Sequence, residues 1–216
     1  MSEQMASIML VDDHPLLRKG MKQLLTMEEG IEVIAEASSG VEAIKIAVDL
    51  DPDLIILDLN MQGMDGIETL KAMRDEGVTS RIVMLTVSDA DEDVVNAISN
   101  GADGYLLKDS DPEILLENIK RALTGKMVLS ETITQVLATA LRRPAVKPPA
   151  ELNSLTNREY EILSLIAKGM SNKVIARELT ISDGTVKVHV KHLLKKLGLR
   201  SRVEAAVWMV NQQGVK

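Results

Sequence analysis

The stretch LIILDLNMQGMDG, residues 54–66, joins an unbroken apolar run to a turn that opens with an acidic residue. The run Leu54–Leu57 contains no polar alternation, which is typical of a strand buried on both faces of a parallel sheet. It leads directly into Asp58, at the end of the strand where open parallel sheets bind ligands. We therefore expect a buried parallel strand that ends in a functional carboxylate.

Similar apolar runs lie on both sides of this stretch and alternate with segments of helical period. The runs are Ile8–Val11, Val33–Ala37, Ile82–Leu85 and Tyr105–Leu107. Such an alternation of strands and helices predicts a flavodoxin-like (βα)5 domain of the α/β class, with helices on both faces of the sheet. We assign this domain to residues 1–127.

The C-terminal part of the chain differs in composition and in charge. Residues 128–154 hold a predicted helix over Ser130–Leu141 and then a proline-rich linker, and residues 155–216 hold four segments of helical period. The first 140 residues carry a net charge of −15 and the remaining 76 carry +8, within a total of −7. An acidic α/β domain followed by a basic all-α domain indicates two different partners, and the basic domain is the candidate for binding a polyanion.

Composition excludes several classes of protein. The chain has no cysteine, which excludes disulfide scaffolds and thiolate metal sites. Its 45% hydrophobic and 26% charged residues are typical of a globular protein. No apolar run approaches the ~20 residues of a membrane span, and the N-terminus lacks signal-peptide features, so we expect a cytoplasmic protein without a membrane partner. Tyr105, Tyr160 and Trp208 are the only aromatic residues, so a platform for stacking single-stranded bases is not expected.

Polar side chains follow four of the predicted strands, and parallel strands bring these ends to one edge of the sheet. The residues are Asp12, Asp13, Asp58, Thr86 and Lys108. Three converging carboxylates favour Mg²⁺, with the backbone carbonyl of Asn60 as a further ligand. Asp58 is then the candidate nucleophile toward a phosphoryl group, whose oxygens Lys108 and Thr86 can hold. By contrast, Asp51 and Asp53 are expected to be ordinary cap or turn residues, and His14 an ordinary helix-start residue.

The basic domain contains a helix-turn-helix pattern. A helix over residues 172–179 and the turn Thr180–Ser182 precede the run TVKVHVKHLLKKL, whose apolar stripe consists of Val186, Val190, Leu193, Leu194 and Leu197. Lys187, Val188 and Lys191 point away from that stripe, so we expect them to read bases in the major groove of double-stranded DNA. The candidate phosphate contacts are Ser171, Asn172, Lys173, Thr185, Lys195 and Lys196.

Both domains resemble known families. The motifs LVDDHP, LDLNMQGMDG, MLTVSD and GYLLKDSDP resemble the receiver domain of two-component response regulators. The residues from LTNREYEIL to RSRVEAA resemble the LuxR-type output domain, so the chain is similar to the NarL/FixJ family of response regulators. Within it, NMQGMDGIETL and GTVKVHVKHLLKK resemble the nitrate- and nitrite-responsive regulators. The pattern departs from the family at Gln62 and Asp109, where receivers usually have proline.

The resemblance implies roles for individual residues. Asp58 corresponds to the phospho-acceptor, with Asp12 and Asp13 as metal-binding acids, Thr86 as the switch hydroxyl, Lys108 as the phosphate-binding lysine and Tyr105 as the switch aromatic. The implied partners are a sensor histidine kinase, double-stranded DNA, RNA polymerase and, after phosphorylation, a second copy of the chain. The dimer contact would lie on the last helix, on a stripe formed by Val203, Ala206, Val207 and Val210.

These features favour a DNA-binding transcriptional regulator over an enzyme. Phosphorylation of Asp58 would release the recognition helix, so that two copies bind DNA together. One alternative is a regulator of the same type that answers a signal other than nitrate or nitrite. A second is a phosphatase or phosphotransferase that uses Asp58 as nucleophile, but such enzymes usually carry another Asp at the position of Asn60. A phosphorylation-independent DNA-binding protein is a third alternative, which the complete acidic site disfavours.

Overall fold

The stretch LIILDLNMQGMDG forms a central strand of a parallel sheet in the computed structural model, which describes residues 5–88, 90–124, 128–129 and 154–213. All five residues of this strand are buried. In chain order the first domain contains β1 (Ala6–Val11), α1 (Pro15–Thr26), β2 (Ile31–Ala37), α2 (Gly40–Leu50), β3 (Leu54–Asp58), α3 (Gly66–Asp75), β4 (Arg81–Thr86), α4 (Asp91–Ser99), β5 (Gly104–Leu107), α5 (Pro112–Leu123) and β6 (Val128–Leu129).

The strand order β2-β1-β3-β4-β5-β6, with every neighbouring pair parallel, confirms the predicted flavodoxin-like sheet. The order reverses between β1 and β3, so a crevice opens at their carboxyl ends, where Asp12 and Asp58 follow or end the strands. Two aliphatic cores cover the two faces of the sheet. Because the strands are buried on both faces, they read as continuous apolar runs rather than as alternating patterns.

Helix α3 begins directly against the end of β3, and this close approach requires glycine. A Cβ added to Gly66 would lie 2.2 Å from the backbone oxygen of Asp58. Asp65 and Glu68 close the start of α3 with a reciprocal capping box. The end of β3 and the turn after it are therefore held in one arrangement, which fixes the position of Asp58.

The second domain is a four-helix unit with its own aliphatic core. Its helices are α6 (Asn157–Ala167), α7 (Asn172–Leu179), α8 (Asp183–Leu197) and α9 (Arg202–Gln213). The described core cluster of this domain contains only residues from Leu155 onward. Ser171 and Ser182 cap the starts of α7 and α8. The turn between these helices passes through Thr180, whose φ of 54° is left-handed.

The starts of α6 and α9 both have the Ser/Thr-x-x-Glu spacing of a capping box, and only the first forms the complete box. Thr156 and Glu159 form the complete reciprocal box. The Ser201 hydroxyl accepts from the Glu204 backbone, but the Glu204 carboxylate accepts from the backbone N–H of Arg200 instead of that of Ser201. The bond shifts by one residue and still caps the start of α9.

The segment between the domains is only partly described. Val128 and Leu129 pair with β5, so the sheet extends into the segment that we assign to the linker. The predicted helix over Ser130–Leu141 and the linker as far as residue 153 lie outside the described residues. Among the helices that the structure describes, none is long and apolar enough to cross a membrane.

Candidate phosphorylation site and nucleic-acid interface

The polar residues predicted at the strand ends come together in one pocket. Lys108 Nζ lies 2.8 Å from Asp12 Oδ2 and 2.9 Å from Asp58 Oδ2. Asp58 is 1% exposed and Thr86 is fully buried. Asp13 Oδ2 accepts a 2.9 Å hydrogen bond from the backbone of Gln62, which joins the first acidic turn to the turn after Asp58. The structure therefore places an acid pair, a buried carboxylate and an ammonium within one crevice.

The environment of Asp58 suits a nucleophilic carboxylate. Burial raises the pKa of Asp58 above its ordinary value and the neighbouring Asp12 adds to this, while Lys108 opposes both. Lys108 Nζ forms an ion pair with Oδ2 at 2.9 Å. Oδ1 accepts a 3.3 Å bond from the backbone of Asn60. One carboxylate oxygen is thus held by the ammonium of Lys108 and the other by the turn after β3.

Four residues of the pocket could hold a cation together. Asp12, Asp13, His14 and Asp58 each offer a ligand atom, and these atoms lie within 4.8 Å of one another. Asp13 Oδ1 lies 2.8 Å from His14 Nδ1, and Asp58 Oδ2 lies 2.9 Å from Lys108 Nζ. Carboxylates this close together repel one another, and a bound cation would offset that repulsion. The donor set, rich in hard oxygen ligands, fits Mg²⁺.

A chain of hydrogen bonds runs from the pocket toward the aromatic residue of β5. Asn60 Nδ2 donates to Thr86 Oγ1 at 3.4 Å, and the same hydroxyl accepts from the backbone of Ser88 at 3.1 Å. The Ser88 carbonyl accepts a 3.0 Å bond from the hydroxyl of Tyr105, which is fully buried. The Thr86 hydroxyl and the Tyr105 ring are therefore linked through one loop residue.

Helix α8 has the orientation that the sequence predicts. Its five stripe residues, Val186 to Leu197, are buried in the core of the second domain. Val188 is 52% exposed on the opposite side. The short turn from α7 to α8 gives the arrangement of a helix-turn-helix motif, whose second helix reads the major groove.

The exposed side of α8 faces the receiver domain in this structure. Lys187 Nζ lies 3.0 Å from Asp51 Oδ2 and donates to the Asp51 carbonyl at 2.8 Å. Lys191 Nζ donates to the carbonyl of Glu76 at 3.1 Å. Burial alone would lower the pKa of Lys187, but Asp51 and Asp183 raise it above its ordinary value. The predicted base-reading lysines are therefore engaged with the first domain.

A second ion pair joins α7 to the same edge of the receiver. Lys173 Nζ lies 2.6 Å from Asp53 Oδ2, which also accepts from the backbone and hydroxyl of Ser7. Burial alone would raise the pKa of Asp53, but Lys173 and Ser7 lower it below its ordinary value. Asp51 has the cap role that we expect, at the end of α2, whereas the Asp53 carboxylate instead holds Ser7 at the start of β1. The sequence did not reveal their additional role as partners of the second domain.

The other predicted DNA contacts have varied surroundings. Thr185 and Ser171 lie at the starts of α8 and α7, where they take part in the caps. Asn172 is 8% exposed and accepts from Arg202. Lys196 Nζ lies 2.6 Å from the Glu159 carboxylate. Lys195 is exposed and has no ion-pair or hydrogen-bond partner within the described part of the chain.

The predicted dimer stripe lies on the outer side of α9. Val207 and Val210 are 52% and 57% exposed. Val203 and Ala206 are partly buried, and Trp208 packs against the domain core. The stripe thus offers apolar surface beside the core.

A buried guanidinium cluster at the domain boundary was not predicted. Arg202 is 7% exposed and Arg81 is 5% exposed. Burial, with the repulsion of Arg81 and Arg74, lowers the pKa of Arg202 to about 9. Arg81 Nη2 is buried without a partner in the described residues. Arg202 begins the last helix and Arg81 begins a strand, and arginine at either position is usually exposed, so no sequence signal indicates this cluster.

Family comparisons cover both domains. Residues 8–120 match the response regulator receiver domain, and residues 153–209 match the bacterial regulatory proteins of the luxR family. The two matches correspond to the parallel-sheet domain and to the helical domain.

Relatives match along nearly the whole chain. The nitrate/nitrite response regulator protein NarL of Escherichia coli K12 is 55% identical over 96% of each chain. NarP of the same organism is 51% identical over 97% of this chain and 96% of its own. The transcriptional regulatory protein LiaR of Bacillus subtilis is 41% identical over 94% of this chain and 96% of its own.

Solved structures show the same fold. The response regulator ChrA of a haem-sensing two-component system is 32% identical, with a TM-score of 0.52 over 97% of this chain and 98% of its own. A LuxR-family response regulator from Aurantimonas sp. is 35% identical, with a TM-score of 0.59 over 63% of this chain and 98% of its own.

Proposed function

Because the chain belongs to the two-component response regulators with a receiver domain and a LuxR-family DNA-binding domain, we propose that phosphorylation of Asp58 frees a recognition helix that the receiver occludes. The observation that carries this proposal is the position of Lys187 at the carboxylate and carbonyl of Asp51. A lysine held there cannot reach a base in the major groove. DNA and the receiver would compete for one surface.

The chemistry at Asp58 follows from the pocket. Asp58 Oδ2 would attack the phosphorus atom in line, forming an acyl phosphate as the donor's bond to phosphorus breaks. Lys108, now shared between Asp12 and Asp58, would move its charge toward the phosphoryl oxygens. Asp12, Asp13, Asp58 and the carbonyl of Asn60 would hold Mg²⁺. When bound, the ion supplies positive charge that offsets the carboxylates and the transferred group.

The signal would leave the pocket through Thr86. In the unphosphorylated protein its hydroxyl oxygen accepts hydrogen bonds from Ser88 and Asn60. A charged phosphoryl oxygen on Asp58 would be a strong acceptor for a hydrogen bond donated by this hydroxyl. Movement of Thr86 would release the Ser88 loop, whose carbonyl holds the Tyr105 hydroxyl. Tyr105 would then act as the switch aromatic. Phosphorylation shifts the equilibrium only as far as it favours the released state over the occluded one.

After release, two copies would bind neighbouring DNA half-sites about one helical turn apart. Lys187, Val188 and Lys191 would read bases. The predicted phosphate contacts would fix the position of the recognition helix along the DNA. The α9 stripe of Val203, Ala206, Val207 and Val210 would join the two copies. RNA polymerase would be a further partner at the promoter.

The input signal is inferred from relatives. The identity to NarL and NarP along the chain supports a response to nitrate or nitrite, received as a phosphoryl group from a sensor histidine kinase. The chain would act as a regulator rather than an enzyme, in the cytoplasm where its DNA lies. The domain limits at residues 127 and 154 belong to this proposal, with the segment between them as the connection that permits release.

Two measurements test this function. Incubation with acetyl phosphate and Mg²⁺ should add one phosphate to the wild-type mass and none to Asp58→Asn, whereas Asp49→Asn should behave as wild type. Turnover without a trapped adduct would instead indicate a phosphatase. The segment 150–216, whose core contains only its own residues, should bind DNA more tightly than the unphosphorylated full chain. Equal affinity would contradict occlusion.

A further inference from the structure

A cleft of about 670 Å³ lies between the two domains, beside the occluding contacts. One wall consists of α3 and the turn after it, with Lys71, Asp75 and Gly77. The opposite wall is the second half of α8 with Leu199 and Arg200, and includes Lys191 and Lys195. The volume is within the range of small-molecule sites in proteins. The cleft exists only while the domains are in contact.

The lining of the cleft is strongly basic. Its charged residues are Lys71, Arg74, Lys191, Lys195, Arg200 and Asp75. Arg74 is paired with the buried Asp103 and donates to several carbonyls, so its charge is neutralised. The other four cations face Asp75 as the one acidic residue among those that line the cleft.

These four cations lack carboxylate partners in the described structure. Lys191 donates to the carbonyl of Glu76, and Arg200 donates to the carbonyl of Ser99 at 2.9 Å. Lys71 and Lys195 have neither ion-pair nor hydrogen-bond partners within the residues described. Lys187 on α8 and Lys173 on α7 differ from these four residues because each forms an ion pair with an aspartate of the receiver. Closing the domains therefore concentrates unneutralised positive charge in this cleft.

The cleft also has an apolar side. Val78, Leu194 and Leu199 supply apolar lining. A ligand with several anionic oxygens would meet the cations, and a flat apolar part would fit against these side chains.

We propose that the interdomain cleft binds an oligophosphate anion, either an inorganic chain or the phosphates of a nucleotide. The anion would contact Lys71 from the receiver and Lys191, Lys195 and Arg200 from the second domain. Because both domains supply ligands, binding stabilises the closed arrangement over the open one. The anion would also occupy lysines that DNA needs, so it would oppose DNA binding. This last consequence rests on the proposed function, whereas binding to the cleft does not.

The test titrates inorganic tripolyphosphate into the unphosphorylated full chain by calorimetry, with EDTA present so that no cation occupies the acidic pocket or the probe. Lys71→Gln is the informative variant, because Lys71 lies in the receiver, outside the phosphorylation site and the DNA-reading surface. We expect it to weaken binding by about fivefold, the scale of one charged contact at a partly solvated site. Lys45→Gln, which removes an exposed lysine of α2 outside the cleft, should bind as wild type does.

Each outcome has a defined meaning. Equal binding by wild type and Lys71→Gln would place the anion on the DNA-binding surface alone and overturn the proposal, as would no binding by wild type. Adenosine triphosphate in the same buffer distinguishes the two ligand sources. Tighter binding than tripolyphosphate would indicate that the apolar side holds a nucleoside, and equal binding would indicate recognition of the phosphate chain. If the wild type bound adenosine triphosphate and Lys71→Gln bound it equally tightly, the cleft would be excluded as the binding site.

Discussion

Lys187 Nζ on the recognition helix lies 3.0 Å from Asp51 Oδ2 at the end of α2, and donates to the backbone carbonyl of the same residue. A residue predicted to read DNA is thus held by an acid predicted to be an ordinary cap. The pair is 22% and 28% exposed at its side chains, so solvent screens it only in part. In the proposed function, this pair would link the state of the receiver to the availability of the DNA-reading surface.

Removing the charge of Asp51 should loosen the closed arrangement. Asparagine is the suitable replacement, because residue 51 has a φ of 44° and asparagine tolerates this conformation. We expect Asp51→Asn to tighten DNA binding by the unphosphorylated chain by at most about fivefold, from the 0.2–1 kcal/mol typical of a partly exposed ion pair. Fluorescence anisotropy with a labelled duplex measures the change.

The matched control is Asp49→Asn, which removes an exposed carboxylate of α2 that has no ion-pair partner within the described residues. It should leave the affinity unchanged. If both variants tightened binding equally, general charge repulsion between the receiver and DNA would explain the effect.

Substitution of Thr86 should separate phosphorylation from its consequence. Thr86→Ala keeps Asp58, Lys108 and the acidic pair, so acetyl phosphate should still label the protein. The gain in DNA affinity on labelling should fall by at least about fivefold, since coupling free energies between sites are commonly of this size. Thr86→Ser retains the hydroxyl and should restore the gain. A full response in Thr86→Ala would show that the signal leaves the pocket by another path.

Lys195 should contribute to DNA binding through phosphate alone. In the segment 150–216, Lys195→Gln should weaken binding to specific and unrelated duplexes by similar factors. It should also reduce the slope of log affinity against log salt by about 0.9, the value for one phosphate contact. Lys168→Gln, at an exposed position after α6, serves as the control and should leave the slope unchanged. Loss of affinity for one sequence only would assign Lys195 to base readout.

Glu159 should make the second domain sensitive to acid. Burial alone would raise the pKa of Glu159, but Lys196 and the backbone and hydroxyl of Thr156 lower it below the ordinary 4.5. A lowered pKa in the folded state stabilises the fold above pH 4.5, and this contribution is lost as the pH falls through the folded-state pKa. Glu159→Gln should therefore cost about 1 kcal/mol at pH 7 and less at pH 3.

Urea unfolding of the segment 150–216 at both pH values measures this difference. Glu161→Gln is the control, because Glu161 forms an ion pair with Arg158 but is 51% exposed, and its loss should change the unfolding free energy by less than about 0.5 kcal/mol. If Glu159→Gln lowered the free energy of unfolding equally at pH 3 and pH 7, the packing of the Glu159 side chain rather than its charge would determine its effect.

Much of the fold could be predicted from local patterns. Continuous apolar runs predicted the parallel strands, and the sheet then required Asp12, Asp58 and Lys108 to meet at one edge. The stripe from Val186 to Leu197 predicted which side of α8 is buried. These features depend on periodicity and topology, both of which can be read along the chain.

What could not be predicted depends on contacts across the chain. Asp51 and Asp53 look like any acids beside a turn, and only the placement of the second domain shows that they meet Lys187 and Lys173. The clustering of Arg81 with Arg202 has the same origin. The shift of the Glu204 bond by one residue reflects local geometry that the spacing of a capping box does not specify.

The most direct test of the central account measures the distance between the domains. The chain has no cysteine, so Lys45→Cys and Glu178→Cys allow a spin label on an exposed helix position of each domain. Electron–electron double resonance should give a narrow distance distribution for the unphosphorylated protein. Acetyl phosphate and Mg²⁺ should broaden and lengthen it, and the added substitution Asp58→Asn should abolish that change. An identical distribution before and after phosphorylation would contradict release of the recognition helix.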